Sequence, residues 1–156
     1  MAENVYLLHE NLVLLDYECI DDREAVLKNL AGILQAEGYV KDSYTEAILT
    51  REREYPTGLN TPGIKVVMPH AAPAHVNKAA ILAVKLKTPV TFKEMGNSGK
   101  DVEAKLVFML AVTDPQGHLQ TLSKLMAIFS DGDKLLDLYQ SGTKQEFMEK
   151  LNRILA

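Results

Sequence analysis

A chain of 156 residues with 47% hydrophobic content can bury one substantial core, so a single domain over residues 1–156 is expected. Its 17 basic and 21 acidic residues leave a net charge of −4, which argues against a nucleic-acid or anionic-membrane partner. No apolar run approaches the roughly 20 residues of a membrane helix, and a lone Cys19 with no signal-peptide pattern before it fits a reducing cytoplasm.

The chain alternates between strand and helix patterns. Leu12-Val13-Leu14 is a short apolar strand. Asp21 followed by Glu24 reads as a capping box, which satisfies free amides at a helix start. Val26, Leu27, Leu30, Ile33 and Leu34 repeat behind it at helical spacing, and Gly38 is a natural stop. Ser43 with Glu46 reads as a second capping box, opening a helix that runs out near Thr50-Arg51 before a turn at Pro56-Thr57-Gly58. Strands are then expected over Ile64 to Met68, Ala79 to Lys87 and Ala104 to Val112. The last is almost wholly apolar, as a central strand covered on both faces should be. Gly96-Asn97-Ser98-Gly99 reads as a hairpin-type turn. Asp114-Pro115 reads as an N-cap with proline in the first helical position. Leu119, Leu122, Leu125, Met126 and Phe129 form the stripe of that helix. A short helix around Leu135 to Tyr139 follows. A last one, capped by Thr143 and Glu146, buries Phe147, Leu151 and Ile154. The sum is an α/β domain with helices packed on a mixed sheet.

His70 is the residue to explain on this frame. It follows Pro69, which cannot donate a ladder bond, so the imidazole stands at the end of a strand and not in mid-sheet. A neutral imidazole offers a nucleophilic nitrogen at ordinary pH without a separate base. His118 falls in the first turn of the helix opened by Asp114-Pro115, where free amides favour an anion such as phosphate. Arg51 could add a permanently charged, bidentate phosphate contact. The residues alone leave blander readings open. His70 could be a polar loop residue, His118 a satisfied, partly buried histidine, and Arg51-Glu52-Arg53-Glu54 a solvated face. His70 and His75 lie across a probable loop with no cysteine or carboxylate cluster to complete a tetrahedral set, so neither a metal nor another cofactor is expected.

The run Arg51-Glu52-Arg53-Glu54-Tyr55-Pro56-Thr57-Gly58-Leu59, followed by Val66-Val67-Met68-Pro69-His70, resembles the enzyme IIA signature of the sugar phosphotransferase system. The class is the fructose/mannitol type, and the galactitol-type subgroup resembles it best. Pro89-Val90-Thr91-Phe92, Met95-Gly96-Asn97, Leu106-Val107-Phe108-Met109-Leu110-Ala111 and Asp114-Pro115-Gln116-Gly117-His118-Leu119 continue the match over nearly the whole chain.

The resemblance implies a mixed sheet sandwiched by helices, the fold of this IIA class. It implies that His70 is phosphorylated and that Arg51 and His118 surround the phosphoryl group. The donor would be the carrier HPr and the acceptor a cysteine of a IIB component. No IIB domain or membrane IIC segment is present in this sequence, so both would be separate chains. A regulatory IIA, in which phosphorylation of His70 controls a protein partner, is the alternative reading. Apolar residues beside His70, Met68 and Ala71-Ala72-Pro73, are expected to contribute to the docking rim.

Overall fold

The computed structural model describes residues 10–18, 22–61, 63–114 and 119–155. Five strands make one mixed sheet in the order β1-β4-β5-β3-β2. They are β1 (Val13–Tyr17), β2 (Gly58–Leu59), β3 (Val66–Val67), β4 (Ala80–Lys93) and β5 (Asp101–Ala111). β1 runs parallel to β4, and β3 parallel to β5, whereas β4 with β5 and β2 with β3 are antiparallel. The central strand is β5, whose run from Leu106 to Ala111 is wholly apolar and buried, as a strand covered on both faces should be.

Two helices cover one face and three the other. On the first lie α1 (Arg23–Ala36) and α2 (Tyr44–Glu54), packed on Leu82, Val84, Leu86 and Met109. On the second lie α3 (Leu119–Phe129), α4 (Gly132–Tyr139) and α5 (Lys144–Leu155), packed on Ile81, Ala83, Leu106 and Phe108. Alternate residues of β4 thus serve opposite cores, as the two-residue period of a strand dictates. Phe108 and Phe129 meet with ring centroids 5.3 Å apart. Each fully buried side chain of this size contributes about 1.5–3 kcal/mol.

Several boundaries differ from expectation for definable reasons. α1 is capped by Asp22, whose carboxylate accepts the Ala25 N–H at 3.1 Å; Asp21 and Cys19 lie outside the described residues. The helix stops as expected at Gly38, whose φ of +84° is accessible to glycine at little cost and lets the Tyr39 N–H reach the Leu34 carbonyl. Ser43 precedes α2 but does not cap it through its side chain, and α2 continues to Glu54, past Thr50-Arg51. β3 keeps only two residues of the expected Ile64 to Met68 strand. β4, by contrast, runs to Lys93, beyond the expected end at Lys87, by passing Pro89 through a register shift between Lys85 and Val90. A proline can stay in a strand where the ladder is interrupted. On the second face Met126 is exposed while Ile128 joins Leu125 and Phe129 in the core. Likewise Leu155, not Ile154, is the fully buried residue of α5's last turn. Thr143 accepts the Glu146 N–H at 3.1 Å, and Glu146 accepts the Gly142 N–H, so that cap forms much as its sequence suggests.

Candidate functional site

Parallel pairing of β3 with β5 brings the Pro69-His70 segment to the end of the central strand. The Leu110 N–H donates to the Pro69 carbonyl at 2.9 Å, and His70 itself bridges Leu110. Pro69 has no N–H to donate, so β3 itself stops short of it, and only the Pro69 carbonyl and the isolated His70 bridge carry the pairing on, placing the half-buried imidazole at the end of the sheet. Its Nδ1 lies 3.0 Å from the Met68 carbonyl oxygen. Only a donor can satisfy a carbonyl, so Nδ1 carries the proton and Nε2 keeps its lone pair. Burial lowers the His70 pKa from its ordinary value; the Met68 carbonyl opposes this, and the Arg51 cation adds to the lowering. The imidazole is therefore neutral and nucleophilic at physiological pH.

Met68, whose carbonyl orients the ring, is itself held from behind through its N–H. The Glu52 carboxylate accepts both the Thr57 N–H at 2.9 Å and the Thr57 hydroxyl at 2.8 Å. The Thr57 carbonyl in turn receives the Met68 N–H at 3.4 Å. Glu52 is buried, and desolvation raises its pKa, with the two Thr57 bonds opposing the rise. Next along, Gly58 is required by close approach: a Cβ there would stand 2.5 Å from the Lys93 carbonyl oxygen. From α2, the buried Tyr44 hydroxyl donates to the Leu110 carbonyl at 2.7 Å. Leu110 thus ties the first helical layer to the backbone that carries His70.

Arg51 lies on the exposed side of α2, with its guanidinium 5.4 Å from the ring centre of Tyr55, one turn on. That contact is worth about 0.5–1 kcal/mol at an exposed site and holds the cation along the helix end. The two walls of a neighbouring cleft of about 470 Å³ are α2, with Arg51 and Tyr55, and the loop carrying Ala71, Ala72 and His75. Ser43, freed from helix capping, turns its hydroxyl to the His75 Nδ1 at 2.8 Å and pins that loop to α2.

Two sequence-predicted groups, His70 and Arg51, therefore share one end of the molecule and interact electrostatically. His118 lies outside the described residues. The expected adjacency of the two strands that lead toward His70 and His118 holds, since β3 and β5 are neighbours. The apolar rim is corrected in part. Met68 and Ala71 are buried, Met68 in the second core and Ala71 in the first, leaving Ala72 and Pro73 exposed. The reading of Arg51 to Glu54 as a wholly solvated face fails at Glu52 alone. Arg53 is exposed and pairs with Glu24 at 2.8 Å. The missed signal was Glu52 itself, placed one helical turn ahead of a Pro-Thr turn whose free amide needs an acceptor. Among the described residues no group of three or more potential ligands could hold a metal ion.

The family model described as "Phosphoenolpyruvate-dependent sugar phosphotransferase system, EIIA 2" matches residues 6–154. The galactitol-specific EIIA component of Escherichia coli K12 is 30% identical over 129 residues, which are 81% of this chain and 85% of that protein. The mannitol-specific phosphotransferase enzyme IIA component of Geobacillus stearothermophilus is 26% identical over 151 residues, 95% of this chain and 96% of that protein. In fold, the chain superposes with a TM-score of 0.73 on a structure of an Escherichia coli complex of enzyme IIAMtl and phosphorylated enzyme IIBMtl, at 22% identity and covering 92% of this chain and 96% of that one. With nearly its whole length matched, the chain belongs to the EIIA 2 family of the phosphoenolpyruvate-dependent sugar phosphotransferase system, a family of sugar-specific phosphoryl carriers.

Proposed function

We propose that His70 carries the phosphoryl group on Nε2, receiving it from the phosphohistidine of HPr and passing it to a cysteine of a separate IIB component. The single observation that carries the reading is the Nδ1 contact to the Met68 carbonyl, which leaves Nε2 as the lone-pair nitrogen. In the first step that lone pair attacks phosphorus while the donor P–N bond breaks and its electrons return to the HPr imidazole. In the second, a cysteine thiolate attacks phosphorus and the His70 P–N bond breaks, restoring the neutral ring. Phosphoryl transfer of this kind rests on positioning and on stabilising charge at the equatorial oxygens. Arg51 supplies that charge in this reading, and His118 is assigned beside it from the family resemblance. The donor is already a phosphohistidine, so the transfer needs no metal-bound nucleotide.

A likeness to an enzyme IIA that forms a complex with phosphorylated IIB supports the partner class, and the galactitol-specific relative makes a galactitol-type IIB the first acceptor to try. The proposed compartment is the cytoplasm. Among the described residues, no helix is long and apolar enough to cross a membrane. The test is intact-mass measurement of the chain incubated with phosphoenolpyruvate, enzyme I and HPr, beside a His70→Gln variant. The expected result is one acid-labile phosphoryl addition, absent from the variant and lost on adding the IIB. Failure of the wild-type chain to label under conditions that label another IIA protein would overturn the proposal.

A further inference from the structure

A second concave site lies in the helical layer across the sheet from α2, and it shares no lining residue with the cleft beside Arg51. We propose that this groove, between α3, α4 and α5, binds a small phosphorylated organic anion with a non-aromatic body. Its volume of about 470 Å³ falls in the range of small-molecule sites. The apolar part of its lining is Ala127, Ile128, Leu138 and Ile154, which leaves room for a body as well as a charge.

The charge around the groove is what selects the ligand. Lys124, Lys134, Lys150 and Arg153 face Asp131 and Asp137, a balance of +2 (4 − 2) in a chain whose net charge is −4. Both acids are already engaged. Asp131 caps α4 by accepting the Lys134 N–H at 3.2 Å, and Asp137 accepts from the Lys150 ammonium at 3.1 Å. Lys150 is further neutralised by Glu146 at 3.0 Å, and Lys124 reaches toward the Leu155 carbonyl at 3.5 Å. Lys134 and Arg153 make no ion pair among the described residues. An ammonium from α4 and a guanidinium from α5 thus border one groove with no carboxylate assigned to them. Arginine with lysine is the pairing that phosphate oxygens satisfy best, and a concave wall concentrates their field. Among the described residues no aromatic ring lines the groove, so a nucleobase finds none of them to stack on. A sugar phosphate or similar ester fits both the charge and the floor.

The test is an amide-resolved NMR titration of the whole chain with glucose 6-phosphate, glucose, inorganic phosphate and AMP, repeated on Lys134→Ala/Arg153→Ala. Both substituted side chains are exposed, and unchanged labelling of the variant by HPr controls for folding. Saturable shifts from glucose 6-phosphate are expected, confined to residues 124–138 and 150–154, and at least about tenfold weaker binding in the variant. Glucose should give none, and inorganic phosphate and AMP should bind more weakly than the ester. Equal binding by wild type and variant, or shifts centred on His70, would overturn the proposal. Equal affinity for inorganic phosphate and the ester would overturn the ligand class.

Discussion

The two helical layers use polar groups in opposite ways. On the α1/α2 side the ones that brace the His70 backbone are buried and locally paired: the Tyr44 hydroxyl to the Leu110 carbonyl, and the Glu52 carboxylate to Thr57. On the α3–α5 side they are exposed cations around an open groove, two of them without an ion pair among the described residues. The first arrangement fixes the direction of one imidazole nitrogen. The second attracts charge without fixing a geometry, because long exposed side chains keep their rotamer freedom. A site that forms a covalent bond needs the former, and a site that only binds an ion can be built from the latter.

The sharpest way to break that comparison is His70→Gln. It is expected to abolish phosphoryl labelling entirely while leaving glucose 6-phosphate binding at the groove unchanged, so a mass assay and an NMR titration on one variant separate the layers. Arg51→Ala comes next. Removing one preorganised charge from a phosphoryl site costs about 10²–10³ in transfer rate, and rapid-quench kinetics with phospho-HPr would check it. A change of less than a few-fold would return Arg51 to the role of a surface residue stacked on Tyr55.

Smaller effects are expected behind the imidazole, and they appear first in stability. Glu52→Ala orphans the buried Thr57 amide and hydroxyl and should cost about 2 kcal/mol, measured by urea denaturation. Because the Thr57 carbonyl receives the Met68 N–H, it should also slow labelling. Tyr44→Phe removes one donor from the Leu110 carbonyl and should cost about 1 kcal/mol with labelling nearly intact. If both variants lost stability but neither lost rate, the network would be scaffold alone.

How far the sequence carried differs between fold and site. Period-two and helical spacing located the five α-helices of the described residues and the three longest strands, because each buries a regular stripe against the sheet, but not the 3-10 turns at Glu10–Leu12 and Pro73–His75. It ended β4 six residues early, at Lys87, because the register shift that accommodates Pro89 is a pairing event and leaves no local trace. Pro69 marked the presentation of His70, since a missing N–H is a local fact. Glu52, Tyr44 and the Ser43–His75 contact were not legible. Each joins residues brought together by a turn or by tertiary packing, and Ser43 satisfied a capping pattern that the fold spends on His75 instead.

The smallest expected effect is also the most specific to the orientation of the ring. Burial and the Arg51 cation hold the folded His70 pKa below 6.5, its ordinary value and the one expected in the unfolded chain. Between the two values the unfolded state binds more protons, so stability rises with pH. The contribution of His70 is complete above about 6.5 and is lost as the pH falls through the folded pKa. His70→Gln should therefore lose less stability than wild type between neutral and mildly acid pH. Arg51→Gln removes a cation that lowers this pKa, so the ring, followed by NMR, should titrate at a higher pH than in wild type. A ring that titrates unchanged in that variant would mean that the Arg51 charge does not reach His70. With that interaction gone, the one electrostatic link between the two site residues would be gone with it.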